Sequence, residues 1–188
     1  MYEPLLDAFD TFKDEAAIIG HLLAGYGQIE IDLMYSVAVV RDDMDTTLKA
    51  MFRDRGERRR IMKAASLGRD LYEQAELGNE FDEAITAMDH CREIRNQYAH
   101  CKWYDDYSGS LAFVDLEELA QVNQLVVSIR GLTIHHVDAP LLKAQLKYFE
   151  YTSNCLVWLN FEVSLRAGKS LSNALVKPQQ IKQPQLHI

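Results

Sequence analysis

The 188-residue sequence has no uninterrupted apolar run near the roughly 20 residues that cross a bilayer. Its first ten residues include acidic residues and an early proline, whereas a secretory signal has a basic start followed by a long apolar block. Proline (4) and glycine (9) are too scarce for a collagen-like or low-complexity chain. We therefore expect a globular protein of the cytoplasm without a membrane partner.

Cysteine is also scarce, with only Cys91, Cys101 and Cys155. An odd, sparse set without an export signal argues against a disulfide framework. The doublets His90-Cys91 and His100-Cys101 suggest zinc, but ten residues of helix separate them by about 15 Å, while zinc ligands lie roughly 2 Å from one ion. The sequence predicts no metal site and no other cofactor.

An excess of positive charge is absent as well, since the net charge is -8. This argues against a protein that coats nucleic acid by bulk electrostatics, because neutralising phosphates takes clustered Lys and Arg. One local basic segment, residues 53–63, has a net charge of +4, from Arg53, Arg55, Arg58, Arg59, Arg60 and Lys63 against Asp54 and Glu57. Such a run is usually a solvated helix face. The functional alternative is that Arg58 and Arg59 help to hold RNA.

The composition, 48% hydrophobic and 26% charged, is typical of one packed globular domain. Apolar residues that recur every three or four positions predict a mainly helical fold. Asp138 and Pro140 suit the start of the last long helix, and Gly168 suits its end. The predicted helices cover residues 14–40, 46–52, 57–77, 80–100 and 139–166.

Strand and turn signals lie between the last two of these helices. A turn at residues 107–110 is followed by short apolar segments at 111–114, 126–130 and 133–137, which predict a small antiparallel β-hairpin or sheet. We expect this insertion to cover about residues 107–137 of a single domain spanning 1–170. Residues 171–188 form a polar C-terminal tail, which we expect to be loose because it is rich in Gln and Pro.

The helix predicted at 80–100 places a cation where the core should be. Arg95 falls on the apolar stripe of this helix, and burying an unpartnered guanidinium costs several kcal/mol. Arg95 should therefore have a carboxylate partner, face an open cleft, or extend its head into water. Glu30, at the flank of the apolar stripe of the first long helix, is a candidate partner. The stripe around Arg95 consists of Ala84, Met88, Cys91, Ile94, Tyr98 and Cys101.

The opposite face of the same helix carries Asn96 and His100, which are spaced i, i+4 and can reach a shared ligand. On the helical wheel alone, the favoured interpretation is a solvated helix face with a histidine near its end, where the helix dipole favours a protonated imidazole.

The string Ile94-Arg95-Asn96-Gln97-Tyr98-Ala99-His100 resembles the signature of the HEPN superfamily, in which an Arg and a polar residue, often Asn, precede a His by a few residues. Its helical context and the long Glu-bearing helix upstream agree with that pattern. The resemblance covers roughly residues 14–166, and the segment that begins at Cys101 departs from the smallest members of the family.

The resemblance implies an HEPN-like helical bundle that forms a homodimer, with two copies of the motif facing each other across a twofold cleft. Catalytic members are metal-independent endoribonucleases. Carried over, His100 would move protons while the ribose 2′-OH attacks the phosphate, Arg95 would stabilise the phosphorane charge, and Asn96 would orient both. Glu30 would orient Arg95, and Arg92 is a lesser candidate for phosphate contact.

One geometric condition applies to this assignment. On an ideal helix Arg95 and His100 point about 140° apart, so either the helix loosens before His100 or the dimer completes the site. Two functions follow: a homodimeric ribonuclease, as a toxin or defence factor that could have an antitoxin partner, or a non-catalytic HEPN-type dimer that binds a protein or a nucleotide. The third interpretation is a helical domain in which the motif occurs by chance.

Overall fold

The computed structural model describes residues 6–53, 55–121 and 133–188, which contain seven helices and three strands. None of the helices in these ranges combines the length and the apolar character that crossing a membrane would take. The helices are α1 (Ala8–Thr11), α2 (Lys13–Arg41), α3 (Met44–Phe52), α4 (Glu57–Gln74), α5 (Gly78–Ala99), α6 (Leu116–Gln121) and α7 (Ala139–Arg166), and the strands are β1 (Cys101–Tyr104), β2 (Leu111–Asp115) and β3 (His135–Val137).

The prediction of a mainly helical fold is confirmed, and it is most accurate for the two longest helices, α2 and α7. Asp138 precedes α7 as predicted, and its Oδ1 accepts a hydrogen bond from the Leu141 amide at 2.8 Å. Gly168, two residues beyond α7, has a φ of 70°, in the left-handed region that favours glycine. Local capping chemistry therefore sets the limits of this helix.

The predicted end of α4 at residue 77 is wrong, because the helix ends at Gln74 and α5 begins at Gly78. Close packing joins these two helices. The Phe81 ring stacks on the Tyr72 ring with centroids 4.4 Å apart. A Cβ atom on Gly68 would lie only 2.9 Å from Phe81, so this glycine leaves the space that the ring occupies.

A three-stranded antiparallel sheet with the order β1-β2-β3 confirms the predicted small sheet. Trp103, Phe113 and His135 lie side by side across it, and Phe113 is fully buried. The predicted limits of the insertion are partly wrong, since the sheet begins at Cys101 and the last strand is only His135–Val137. The predicted strand at 126–130 lies outside the described residues.

The chain divides into two compact units. The motif unit contains the residues up to Ala24, Glu93–Leu146 and Pro184–Ile188, and it carries the Arg95 to His100 string. The helical unit contains Gly25–Arg92 and Lys147–Gln183.

The last five residues of the sequence belong to the motif unit, so the expectation of a loose tail is wrong for them. They have no regular secondary structure, but hydrogen bonds fix them. The Leu186 carbonyl accepts a hydrogen bond from Gln97 Nε2 at 2.8 Å, and the Ile188 amide donates to the His136 carbonyl at 3.0 Å. Side-chain amides and a strand carbonyl thus hold a segment that has the composition of a tail.

Candidate functional site

Arg95 and Asn96 lie in the last two turns of α5 and contact each other. Both side chains are half-buried, and Arg95 Nη1 donates a hydrogen bond to Asn96 Oδ1 at 3.0 Å. The sequence analysis expected a carboxylate partner, an open cleft or a solvated head for Arg95, and the Asn96 amide is a neutral polar partner that does not decide among them. The contact restricts the orientation of the guanidinium, as a group that binds phosphate oxygens requires.

His100 stands just outside the helix, because α5 ends at Ala99 and β1 begins at Cys101. Its main chain is fixed on both sides: the amide donates to the Asn96 carbonyl at 3.2 Å, and the carbonyl accepts from the Leu116 amide at 3.1 Å. Its side chain is 49% exposed. The change from helix to strand at this residue removes the ideal-helix constraint on the direction of the imidazole.

A carboxylate that the sequence analysis missed lies beside this imidazole. Glu117 Oε1 is 3.7 Å from His100 Nε2, and the Glu117 side chain is 56% exposed. The separation is too long for a hydrogen bond but short enough for attraction to a protonated imidazole. Glu117 is therefore a candidate positioning residue for His100.

Glu117 lies in the first turn of α6, a helix that was not predicted. Asp115 begins this turn: its Oδ1 accepts hydrogen bonds from the amides of Glu117 at 2.8 Å and Glu118 at 3.2 Å. The signal that could have found α6 is Asp115 followed three residues later by Glu118, because a capping residue and a glutamate at this spacing are typical of a helix start. Glu118 in turn pairs with His135, with Oε2 2.8 Å from Nε2.

Glu30 has a cationic partner that the sequence analysis did not predict. Both of its carboxylate oxygens accept hydrogen bonds from Arg60 Nη1 at 3.0 Å, and the two side chains are only 10% and 20% exposed. The Arg60 guanidinium also lies 5.2 Å from the centre of the Phe52 ring. Arg60 is thus part of the internal structure of the helical unit. The proposed orientation of Arg95 by Glu30 stays a prediction.

The predicted RNA-contacting arginines differ in their surroundings. Arg92 is 14% exposed and its Nε lies 2.6 Å from Asp89 Oδ1, so an intramolecular carboxylate already satisfies part of its charge. Arg58 and Arg59 are exposed on α4. Arg58 lines a groove of about 490 Å³ together with Arg69 and Asp89. RNA binding by these residues stays a prediction.

The cysteines are all free thiols, and burial raises the pKa of Cys91 and of Cys101 to about 12. Thiols with such a pKa are poor nucleophiles and poor metal ligands at neutral pH. In the ranges that the structure describes, the His, Cys, Asp and Glu side chains form no group of three or more that could hold a metal ion. The imidazole of His100 and the neighbouring Glu117 carboxylate can supply acid–base and electrostatic chemistry.

Comparisons with protein-family models, with curated proteins and with solved structures find no match to this chain. The strongest functional feature of the chain is thus its own arrangement at the end of α5: a guanidinium hydrogen-bonded to an amide, followed by a solvent-exposed imidazole.

Proposed function

We propose that the protein is a metal-independent endoribonuclease of HEPN type, built on an HEPN-like helical bundle, with Arg95, Asn96 and His100 as its catalytic residues. The observation that carries this proposal is the Arg95–Asn96 hydrogen bond of 3.0 Å next to a histidine whose main chain is fixed and whose imidazole is open to solvent. A constrained guanidinium and an accessible imidazole are the groups that phosphodiester cleavage needs when no metal takes part.

The reaction begins when one His100 imidazole removes the proton from a ribose 2′-OH. The 2′ oxygen then forms a bond to the adjacent phosphorus, and the bond from phosphorus to the 5′ oxygen of the next nucleotide breaks. The Arg95 fork faces the non-bridging oxygens, where negative charge develops, and Asn96 holds that fork in place. The products are a 2′,3′-cyclic phosphate and a free 5′-hydroxyl, whose proton comes from a general acid.

A homodimer supplies the general acid in this proposal. One chain contributes one motif imidazole, and a second copy across a twofold cleft contributes the other, so that one acts as base and its mate as acid. Light scattering at micromolar concentration should give the mass of a dimer. A fully active monomer would contradict the composite site.

Substitutions in the motif test the assignment of roles. His100→Ala should lower the rate of single-stranded RNA cleavage by about 100-fold or more, because removing a general acid–base group typically costs this much. Arg95→Ala should have a comparable effect, and Asn96→Ala a smaller one, since Asn96 acts through Arg95. His21→Ala is the matched control, because His21 is an exposed histidine on α2 and should leave the rate unchanged.

Two other outcomes would redirect the proposal. A folded wild-type protein that does not cleave RNA would favour the non-catalytic HEPN-type dimer, for which the net charge of -8 suits a protein partner better than a polyanion. Cleavage that persists in His100→Ala would remove this residue from the chemistry. If the protein is a toxin or defence factor, an antitoxin would bind so as to block the surface around His100.

A further inference from the structure

A basic cleft lies between α3 and α4 of the helical unit. Three of its lining residues, Thr46, Lys49 and Arg53, follow one face of α3, and Lys63 comes from α4. The cleft has a volume of about 430 Å³. We propose that this α3–α4 cleft binds phosphate groups of a nucleic-acid backbone.

The charge of the lining supports an anionic ligand. Lys49, Arg53 and Lys63 give the cleft three cations and Thr46 adds a hydroxyl, and none of the described residues that line it is acidic. This concentration of positive charge occurs in a chain whose net charge is -8. Clustered cations on a concave surface raise the local concentration of polyanions.

These cations are available to a ligand. Arg53 and Lys63 are exposed, and neither side chain makes a hydrogen bond or ion pair with another described residue. Lys49 Nζ lies 2.7 Å from Asp45 Oδ2, but both side chains are more than half exposed, and an exposed pair one helical turn apart is weak in water. A phosphate can therefore engage all three cations without breaking a buried interaction.

Two other arginines of the basic segment at 53–63 have different surroundings. Arg60 is bound to Glu30, and Arg58 lines another groove, which also contains an acidic residue, Asp89. Of the residues in that segment, Arg53 and Lys63 line the α3–α4 cleft. Lys49, which lies outside the segment, lines the cleft with them. A solvated helix face alone would not predict this convergence from two helices.

The lining also indicates which part of a nucleic acid would bind. Among the described lining residues, Ala50 alone is apolar and none has an aromatic ring that could stack on a base. Single-strand-binding proteins hold bases of any sequence by such stacking. The expected contact is therefore with the phosphate backbone and independent of sequence.

A binding assay tests the cleft independently of RNA cleavage. The full chain is titrated into a short, labelled 2′-O-methyl RNA, which lacks the 2′-OH nucleophile and cannot be cut by the proposed chemistry. Arg53→Gln combined with Lys63→Gln should raise the Kd by roughly tenfold or more at low salt. The slope of log Kd against log salt concentration should fall by about 0.7 for each cation lost.

Lys147→Gln provides the matched control, because Lys147 is an exposed lysine of α7 that does not line the cleft. It should change the Kd less than twofold. Equal effects of the control and the cleft variants would overturn the proposal, since they would show only the influence of bulk charge.

Tripolyphosphate separates a nucleic-acid backbone from a free polyphosphate. We expect it to compete with the RNA for the wild-type protein and not for the doubly substituted one. If tripolyphosphate binds in an Arg53-dependent manner while the RNA does not bind, the assignment to nucleic acid is wrong. The ribonuclease proposal is unaffected by either result, because its test is the His100→Ala cleavage rate.

Discussion

Two polar contacts, one from each unit of the molecule, differ in the kind of partner they use. In the helical unit, the Glu30 side chain of α2 pairs directly with the Arg60 side chain of α4 at 3.0 Å. In the motif unit, Gln97 and Gln145 donate instead to the main chain of residues 184–188, and both bind the Leu186 carbonyl. The Gln97 contact joins residues 89 positions apart. The motif unit therefore depends on distant contacts that no local sequence pattern indicates.

The aromatic ring pairs in the cores of the two units also differ, because those of the motif unit include histidines. The Phe113 ring of the motif unit lies 5.4 Å from the His135 ring, and the His135 and His187 rings lie 4.0 Å apart. The corresponding ring pair of the helical unit, Tyr72 and Phe81, contains no group that titrates near neutral pH. We therefore expect residues 184–188 to lose protection from hydrogen exchange when the core of the motif unit is weakened, but not when the core of the helical unit is weakened. We also expect them to lose protection in mild acid.

The largest expected effect comes from removing a buried aromatic ring from the core of either unit. Phe113→Ala and Phe81→Ala each remove a fully buried ring and should each lower the free energy of unfolding by about 3–5 kcal/mol. Only Phe113→Ala should also speed hydrogen exchange at residues 184–188, because Phe113 packs near His187. Equal acceleration by both variants would show that the two units open together.

A smaller loss is expected at the ion pair of the helical unit. Glu30→Gln should cost about 2–3 kcal/mol, because it removes a carboxylate that lies 3.0 Å from the largely buried Arg60 guanidinium. Adding Arg60→Met should recover much of this loss in chemical denaturation. A cost below about 0.5 kcal/mol for the single variant would place the pair among ordinary surface contacts.

The glutamine contacts of the motif unit should contribute less. Gln145 is fully buried, accepts a hydrogen bond from the Tyr98 hydroxyl at 2.6 Å and donates to the Gln185 carbonyl at 2.8 Å. Gln145→Leu should cost about 1–3 kcal/mol and expose the Ile188 amide to exchange. Gln180→Leu, at an exposed position, is the control and should change neither quantity.

The smallest expected effect is a pH dependence of the motif unit that begins below pH 6.5. Burial and the neighbouring His135 lower the pKa of His187 below 6.5, with Glu118 and Asp115 opposing the shift. The stability from neutral His187 is therefore complete above pH 6.5 and is lost as the pH falls through the lowered pKa. Hydrogen exchange at residues 184–188 should rise in this range, and His187→Asn should remove the dependence.

The helical unit provides the contrast for this titration. Hydrogen bonding to Lys177 lowers the pKa of Glu80 below its ordinary value of 4.5, so stability from this pair is lost only as the pH falls below that value. A loss of protection in the helical unit that begins at the same pH as that at residues 184–188 would contradict the assignment to His187.

The sequence predicted what depends on local pattern. Apolar periodicity gave α2 and α7, and Asp138 gave the start of α7. β1 was missed because it is a four-residue strand that begins one residue after His100. Its Trp103 is buried among the rings of Phe9, Tyr98 and Phe113, which only the fold brings together.

The same distinction applies to the two candidate sites. Arg95, Asn96 and His100 were found because they form one short string. Glu117 and Lys49 were missed because only the fold brings them to His100 and to the α3–α4 cleft.

The central claim is that the groups at the end of α5 cleave RNA without a metal. Its most direct test is to incubate single-stranded RNA with the purified protein in excess EDTA and to identify the ends of the products. We expect 2′,3′-cyclic phosphate and 5′-hydroxyl ends from the wild-type protein and from His21→Ala, and intact RNA with His100→Ala. Cleavage that requires added metal, or identical products from His100→Ala, would contradict the claim.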